Sequence, residues 1–147
     1  MEQLFKKNIV EKDETELGLR QILNFGHTFG HALESYYKYK IKHGYAVSQG
    51  MLVESKISEI TGNLAAKERQ KIFELLKSFG FPLKVNMDVQ AGKMLELMIS
   101  DKKTRNQKPR FVILEKIGKV KSQKNIFSFE VDGKITAKAI EFCQNER

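Results

Sequence analysis

The sequence has no tryptophan, one cysteine and two prolines in 147 residues. With Cys143 alone, an internal disulfide framework is excluded, and a reducing compartment suits the chain. No run approaches the ~20 apolar residues that a bilayer-spanning helix needs. The opening MEQLFKKNIVEKDE turns charged too early for the apolar core of a secretory signal. These absences read as a cytoplasmic protein with no membrane partner. Scarce proline means that element boundaries must be read from Gly, Asn and Asp. No glycine-rich dinucleotide fingerprint and no alternation of β and α units is present, which excludes a Rossmann-type unit within these residues. There is no repeat and no low-complexity segment.

Hydrophobic residues make up 41% and charged residues 30%, ordinary proportions for a soluble globular domain. The length fits one domain, residues 1–147. The formal charge is +8, from 26 Lys+Arg against 18 Asp+Glu. Such a balance suits nucleic acid, an anionic membrane or a small acidic substrate. No nucleic-acid-binding signature accompanies it. The lysines are spread along the chain, with a modest cluster from Lys116 to Lys124.

The periodicity predicts a mainly α fold: a helical, bundle-like domain with a small β-hairpin near the C-terminus. Asp13-x-x-Glu16 has the form of a capping box that opens a helix through Leu17, Leu19, Ile22 and Leu23. Gly26 and Gly30 punctuate the next stretch, where a helix continues or restarts through Glu34 to Tyr37. Tyr39–Lys42 reads as a loop. A second helix starts near His43 and ends before Gly62-Asn63, with Val47, Met51, Ile57 and Ile60 apolar. A third runs from about Ala65 to Ser78 and is ended by Gly80. Asp88 is a candidate cap for a fourth, which carries Met94, Leu95 and Met98. Arg110–Glu115 (RFVILE) is a strand signal, Gly118 a turn, and Lys124–Val131 a candidate partner strand. Asp132-Gly133 caps a last helix with Ile135, Ala139, Ile140 and Phe142.

All three histidines fall between His27 and His43. His27 and His31 are spaced i, i+4, so they share one helical face. Arg20 and Asn24 continue that face upstream. Burying such groups unpaired would cost several kcal/mol. The face therefore meets solvent or lines a site, and the flanking Leu23, Phe25 and Phe29 favour a site. Gly26 and Gly30 would let another helix approach closely. Two imidazoles from separate helices plus one oxygen donor make a three-ligand centre with an open position, as catalytic zinc requires. Neutral imidazole suits Zn2+ and other divalent transition metals. An HExxH protease site is excluded, because Thr28 follows His27 where that chemistry needs a glutamate.

The segment Arg20-x-x-Leu23-Asn24-Phe25-Gly26-His27-Thr28-Phe29-Gly30-His31-Ala32 closely resembles the 3-dehydroquinate synthase family. So do His43-Gly44 and Gly50-Met51. The resemblance extends upstream through Asp13-Glu14-x-Glu16-x-Gly18 and downstream through Asp101-Lys102-Lys103 and Arg110–Leu114. It implies the helical, metal-binding C-terminal half of an enzyme whose N-terminal half binds NAD. That enzyme converts 3-deoxy-D-arabino-heptulosonate 7-phosphate to 3-dehydroquinate and phosphate, in the shikimate route to aromatic amino acids. It implies His27 and His43 as ligands of Zn2+ (or Co2+), with the third ligand a carboxylate from the N-terminal half. His31, Lys6 and Glu16 are implied as catalytic, and Arg20, Asn24 and the pair Lys102 and Lys103 as substrate-binding. A homodimer is implied too. With no NAD-binding half in these residues, the chain by itself is expected to be inactive.

The physics of the substrate agrees, since a phosphate and a carboxylate call for several fixed cations. Two departures stand out. Tyr45 replaces a usual glutamate after His43-Gly44, which removes a possible carboxylate support for the metal. Ser48-Gln49 replaces a usually apolar pair. The alternatives are another sugar phosphate cyclase of the same fold, or a non-catalytic helical module that binds metal or nucleic acid.

Overall fold

The computed structural model describes residues 18–99 and 108–146. Lys6, Asp13, Glu16, Lys102 and Lys103 lie outside the described residues. The chain is followed from a 3₁₀ turn, Leu19–Asn24, into α1 (His27–Tyr36), α2 (His43–Ile60), α3 (Ala66–Ser78) and α4 (Ala91–Met98). Short strands β1 (Arg110–Phe111), β2 (Leu114–Lys116), β3 (Lys119–Val120) and β4 (Phe129–Glu130) precede α5 (Gly133–Asn145). The fold is mainly α, as the periodicity predicts. No helix among the described residues is long and apolar enough to cross a membrane.

α2 is the axis of the domain. It packs against α1, α3 and α5, and α4 closes against α1 and α5. Burial runs all round it, from Ala46 through Leu52, Val53 and Ile57 to Ser58. Small residues make this possible, because they let neighbouring backbones come close. The buried hydroxyls satisfy themselves locally: Ser48 donates to the Tyr45 carbonyl, Ser55 to Leu52 and Ser58 to Glu54. Ser58 also accepts the Leu114 amide at 3.0 Å, which ties β2 to the axis. Phe29 and Leu33 of α1 are fully buried beside Leu52 and Ile57. Each such side chain contributes about 1.5–3 kcal/mol of transfer free energy.

The β region differs in detail from the sequence reading. Phe111, Val112, Ile113 and Leu114 are all buried, so RFVILE does not alternate faces. It splits into β1 and β2, which pair with different partners. β2 pairs antiparallel with β3 around Gly118, and β1 pairs antiparallel with β4. The expected hairpin is therefore β2–β3, and only Phe129–Glu130 of the Lys124–Val131 segment joins a strand. Asp132 does cap α5, its carboxylate accepting the Lys134 amide at 2.8 Å.

Asp88 does not cap α4, whose N-cap is Gln90. Its carboxylate accepts the Tyr37 hydroxyl at 3.0 Å and its carbonyl accepts the Tyr36 hydroxyl at 2.6 Å. Asp88 thus anchors the end of α1. Beyond that anchor Lys38 and Tyr39 take left-handed backbone, with φ of 52° and 60°. This turn reverses the chain and brings the start of α2 back beside α1.

Candidate metal and substrate site

His27 is the first residue of α1 and His43 the first residue of α2. His31 lies one turn further along α1. The three rings form a compact group, with centroid separations of 5.4 Å (His27–His31), 5.5 Å (His27–His43) and 5.8 Å (His31–His43). Two imidazoles on one tetrahedral zinc, each bonded at about 2.0–2.1 Å, place their centroids roughly 5 Å apart.

Each ring is held through Nδ1. His27 Nδ1 lies 3.2 Å from the Phe25 carbonyl oxygen. That oxygen can only accept, so the contact suits the tautomer with the hydrogen on Nδ1 and the lone pair on Nε2. Glu34 holds the other two. Its Oε1 accepts from His43 Nδ1 and its Oε2 from His31 Nδ1, both at 2.9 Å. Burial raises the Glu34 carboxyl, but the hydrogen bonds and charges of the two histidines outweigh it and leave the carboxyl below its ordinary value. A carboxylate that orients ligating imidazoles in this way also raises their basicity. The donor set therefore fits a borderline divalent ion held by imidazole nitrogen.

Glu34 is a residue that the sequence reading missed. It lies at i+3 from His31 and i+7 from His27, so the helical face continued downstream as well as upstream. It also supplies a carboxylate to His43 even though Tyr45 offers none. The Tyr45 ring lies edge-on to Phe81, 6.4 Å away, with the Lys42 ammonium 5.5 Å above it. Ser48 and Gln49 are both buried.

Arg20 and Asn24 are not on one continuous helical face with the histidines. Both sit on the 3₁₀ turn, which ends at Phe25 in extended backbone, and the chain then passes through Gly26 at φ 81°. This left-handed residue redirects the chain between Asn24 and His27. Gln21 holds the turn in place by accepting the Phe127 amide at 3.0 Å. Between the turn and α2 lies a cavity of about 470 Å³, lined by Ile22, Leu23, Phe25, Val47, Met51 and Phe81 together with His27 and His43. His31 does not line it; its side chain is 63% exposed.

The close approach expected of the glycines is present. A Cβ on Gly30 would meet Val47 Cα at 3.1 Å, and one on Gly50 would meet the Gly26 carbonyl oxygen at 1.9 Å. A second missed residue lies at this crossing. Glu54 of α2 is fully buried, and its carboxylate accepts the backbone amides of Gly26 (2.8 Å) and Phe29 (3.5 Å). Burial pushes its carboxyl up to about 8, against the opposing pull of those amides.

Residues 3–104 match the family model described as 3-dehydroquinate synthase C-terminal. The chain belongs to the 3-dehydroquinate synthase family. It is 43% identical over 140 residues to the 3-dehydroquinate synthase of Pyrococcus furiosus, covering 95% of this chain and 38% of that one. It is 40% identical over 136 residues to that of Thermodesulfovibrio yellowstonii, covering 92% of this chain and 36% of that one. The chain thus spans less than two-fifths of the length of these synthases. Among solved structures, it resembles a 2-deoxy-scyllo-inosose synthase complexed with carbaglucose-6-phosphate, NAD+ and Co2+. The TM-score there is 0.80 at 21% identity, over 92% of this chain and 38% of that one. It also resembles a 2-epi-5-epi-valiolone synthase from Streptomyces hygroscopicus with NAD+ and Zn2+ bound, at a TM-score of 0.75 and 17% identity, over 99% of this chain and 38% of that one. At such identities these likenesses speak to the shared fold alone.

Proposed function

We propose that this chain forms the metal- and substrate-binding part of a 3-dehydroquinate synthase, the enzyme that converts 3-deoxy-D-arabino-heptulosonate 7-phosphate to 3-dehydroquinate and phosphate. The observation that carries the reading is the convergence of His27, His31 and His43 from two helix starts, with Glu34 bracing two of them. His27 and His43 are the proposed ligands of Zn2+ or Co2+, because both line the cavity beside the 3₁₀ turn. The bound ion would supply Lewis acidity toward a substrate oxygen. NAD and a third, carboxylate ligand are assigned to the part of the enzyme that this chain does not span, and the assembled enzyme is proposed to be a homodimer.

The chain's own residues would do the rest. His31 keeps its Nδ1 hydrogen on Glu34, so its Nε2 accepts and returns a proton at the substrate. Its exposure leaves it accessible to a small molecule. Arg20 and Asn24 would bind the substrate from the 3₁₀ turn, Arg20 as a fixed cation for one of its anionic groups. Lys6 and Lys102 or Lys103 would supply further cations, and Glu16 a further carboxylate.

A second reading rests on a specific observation. Ligand atoms of His31, Glu34 and His43 all lie within 4.8 Å of one another, so these three can also be read as the metal set. Both Glu34 oxygens are already committed to imidazole N–H groups, which favours His27 with His43.

The purified 147-residue chain is expected to form no dehydroquinate, with or without added NAD and zinc. Grafted in place of the matching 140 residues of the Pyrococcus furiosus synthase, it is expected to give an active enzyme. Turnover by the isolated chain would contradict the reading. A graft that folds yet turns over only a different sugar phosphate would favour another cyclase.

A further inference from the structure

α1 begins without a cap of its own. Its N-cap residue is Gly26, which has no side chain to bond the first turn. The first amides of a helix need acceptors from elsewhere. At Gly26 solvent does not supply one, because this residue is buried against α2. The acceptor comes instead from Glu54, 28 residues away in sequence. A buried carboxylate is an expensive way to fill that space. Its hydrogen-bond partners are backbone amides at the start of α1, and these flank His27.

The bond to Gly26 has a consequence for His27. The Gly26 amide and the Phe25 carbonyl belong to the same peptide unit, and no described peptide bond is cis. In a trans peptide the N–H and C=O point in opposite directions from one rigid plane. On one side the Gly26 N–H donates to Glu54 Oε2 at 2.8 Å. On the other, the Phe25 carbonyl faces His27 Nδ1 at 3.2 Å. Glu54 and the His27 ring are therefore joined across a single peptide plane. An acceptor at the N–H end polarises the peptide and strengthens its carbonyl as an acceptor. Gly50, one turn before Glu54, lies so near the Gly26 carbonyl that a Cβ there would have no room.

We propose that Glu54 is a positioning residue for the metal centre, acting through the Phe25–Gly26 peptide to hold the His27 ring in the Nδ1–H tautomer and in its orientation. It does for His27, at one remove, what Glu34 does directly for His31 and His43. The role needs an acceptor atom at this place and not a negative charge. The inference rests on the ligand assignment above only in its consequence for metal binding.

The test uses the 147-residue chain and Co2+ as the probe, with His27→Ala, Glu54→Leu and Glu54→Gln as variants. Glutamine keeps an oxygen for the Gly26 amide; leucine fills the space and offers none. Glu54→Leu is expected to weaken Co2+ binding by about 10–100-fold, as loss of an outer support does. Glu54→Gln should restore affinity to within a few-fold. Nitrogen-15 NMR of the metal-free chain should show His27 as the Nδ1–H tautomer in the wild type and Glu54→Gln, and as a mixture in Glu54→Leu. A folded Glu54→Leu with wild-type affinity and tautomer would overturn the proposal. Should that variant not fold, the wild-type spectrum decides: His27 as the Nε2–H tautomer, or a Gly26 amide that exchanges freely, overturns it. Wild-type affinity in His27→Ala would instead count against the ligand assignment, and leaves the tautomer test standing.

Discussion

Gly50→Ala is expected to destabilise the domain by about 3 kcal/mol or more, at the upper end of overpacking costs. In the middle of a helix this substitution ordinarily stabilises by roughly 0.5–1 kcal/mol. Here the new methyl would sit 1.9 Å from the Gly26 carbonyl oxygen and 2.8 Å from its carbon. Those are backbone atoms, so no side chain can swing aside. Relief requires α1 to lift from α2, and Gly26 cannot simply slide, because its own Cβ position already meets Met51 and the Val47 carbonyl. At about 2–4 °C per kcal/mol for a domain of this size, the melting temperature should fall by roughly 10 °C. Gly92→Ala supplies the contrast. It lies in α4 with nothing within 4 Å of an added Cβ, and should stabilise slightly. Thermal unfolding of the two variants beside the wild type measures both.

The histidines should separate by role. In the graft described above, His27→Ala and His43→Ala are each expected to lower metal affinity by more than about 100-fold, since outer supports alone account for about 10–100-fold. Activity should be lost with the metal. His31→Ala should keep the metal to within a few-fold and lose about 10²–10⁴-fold in turnover, the usual worth of a positioned acid–base group. Dialysis against a metal buffer, followed by metal analysis and an assay, distinguishes the two patterns. Equal metal loss in all three variants would place His31 among the ligands.

Much of this was legible in the residues themselves. The i, i+4 spacing of His27 and His31 holds on α1, and the expected second helix does start at His43. The cap at Asp132 and the turn at Gly118 follow from local chemistry that needs no tertiary partner. What was hidden depends on contacts across the chain. Positive φ at Gly26 breaks the apparent face from Arg20 to His31, and nothing in a helical periodicity marks that break. Glu34 was readable on the face of α1, but its second partner arrives only after the left-handed turn at Lys38 and Tyr39. Glu54 bonds to main-chain amides, which carry no sequence signature. RFVILE looks like one strand because burial on both sides produces the same apolar run as a continuous central strand. Asp88 satisfies the rule for a helix cap, yet Tyr36 and Tyr37 claim it first.

The central claim is that the metal lies between the starts of two helices, on His27 and His43, with Glu34 as its support. Anomalous diffraction at the zinc edge, from crystals of the graft grown with zinc, locates the ion directly. The account predicts one peak at about 2.0–2.1 Å from a nitrogen of each of His27 and His43, with His31 outside bonding distance and Glu34 on the far side of the imidazoles. A peak bonded to His31, Glu34 and His43, with His27 left out, would contradict it.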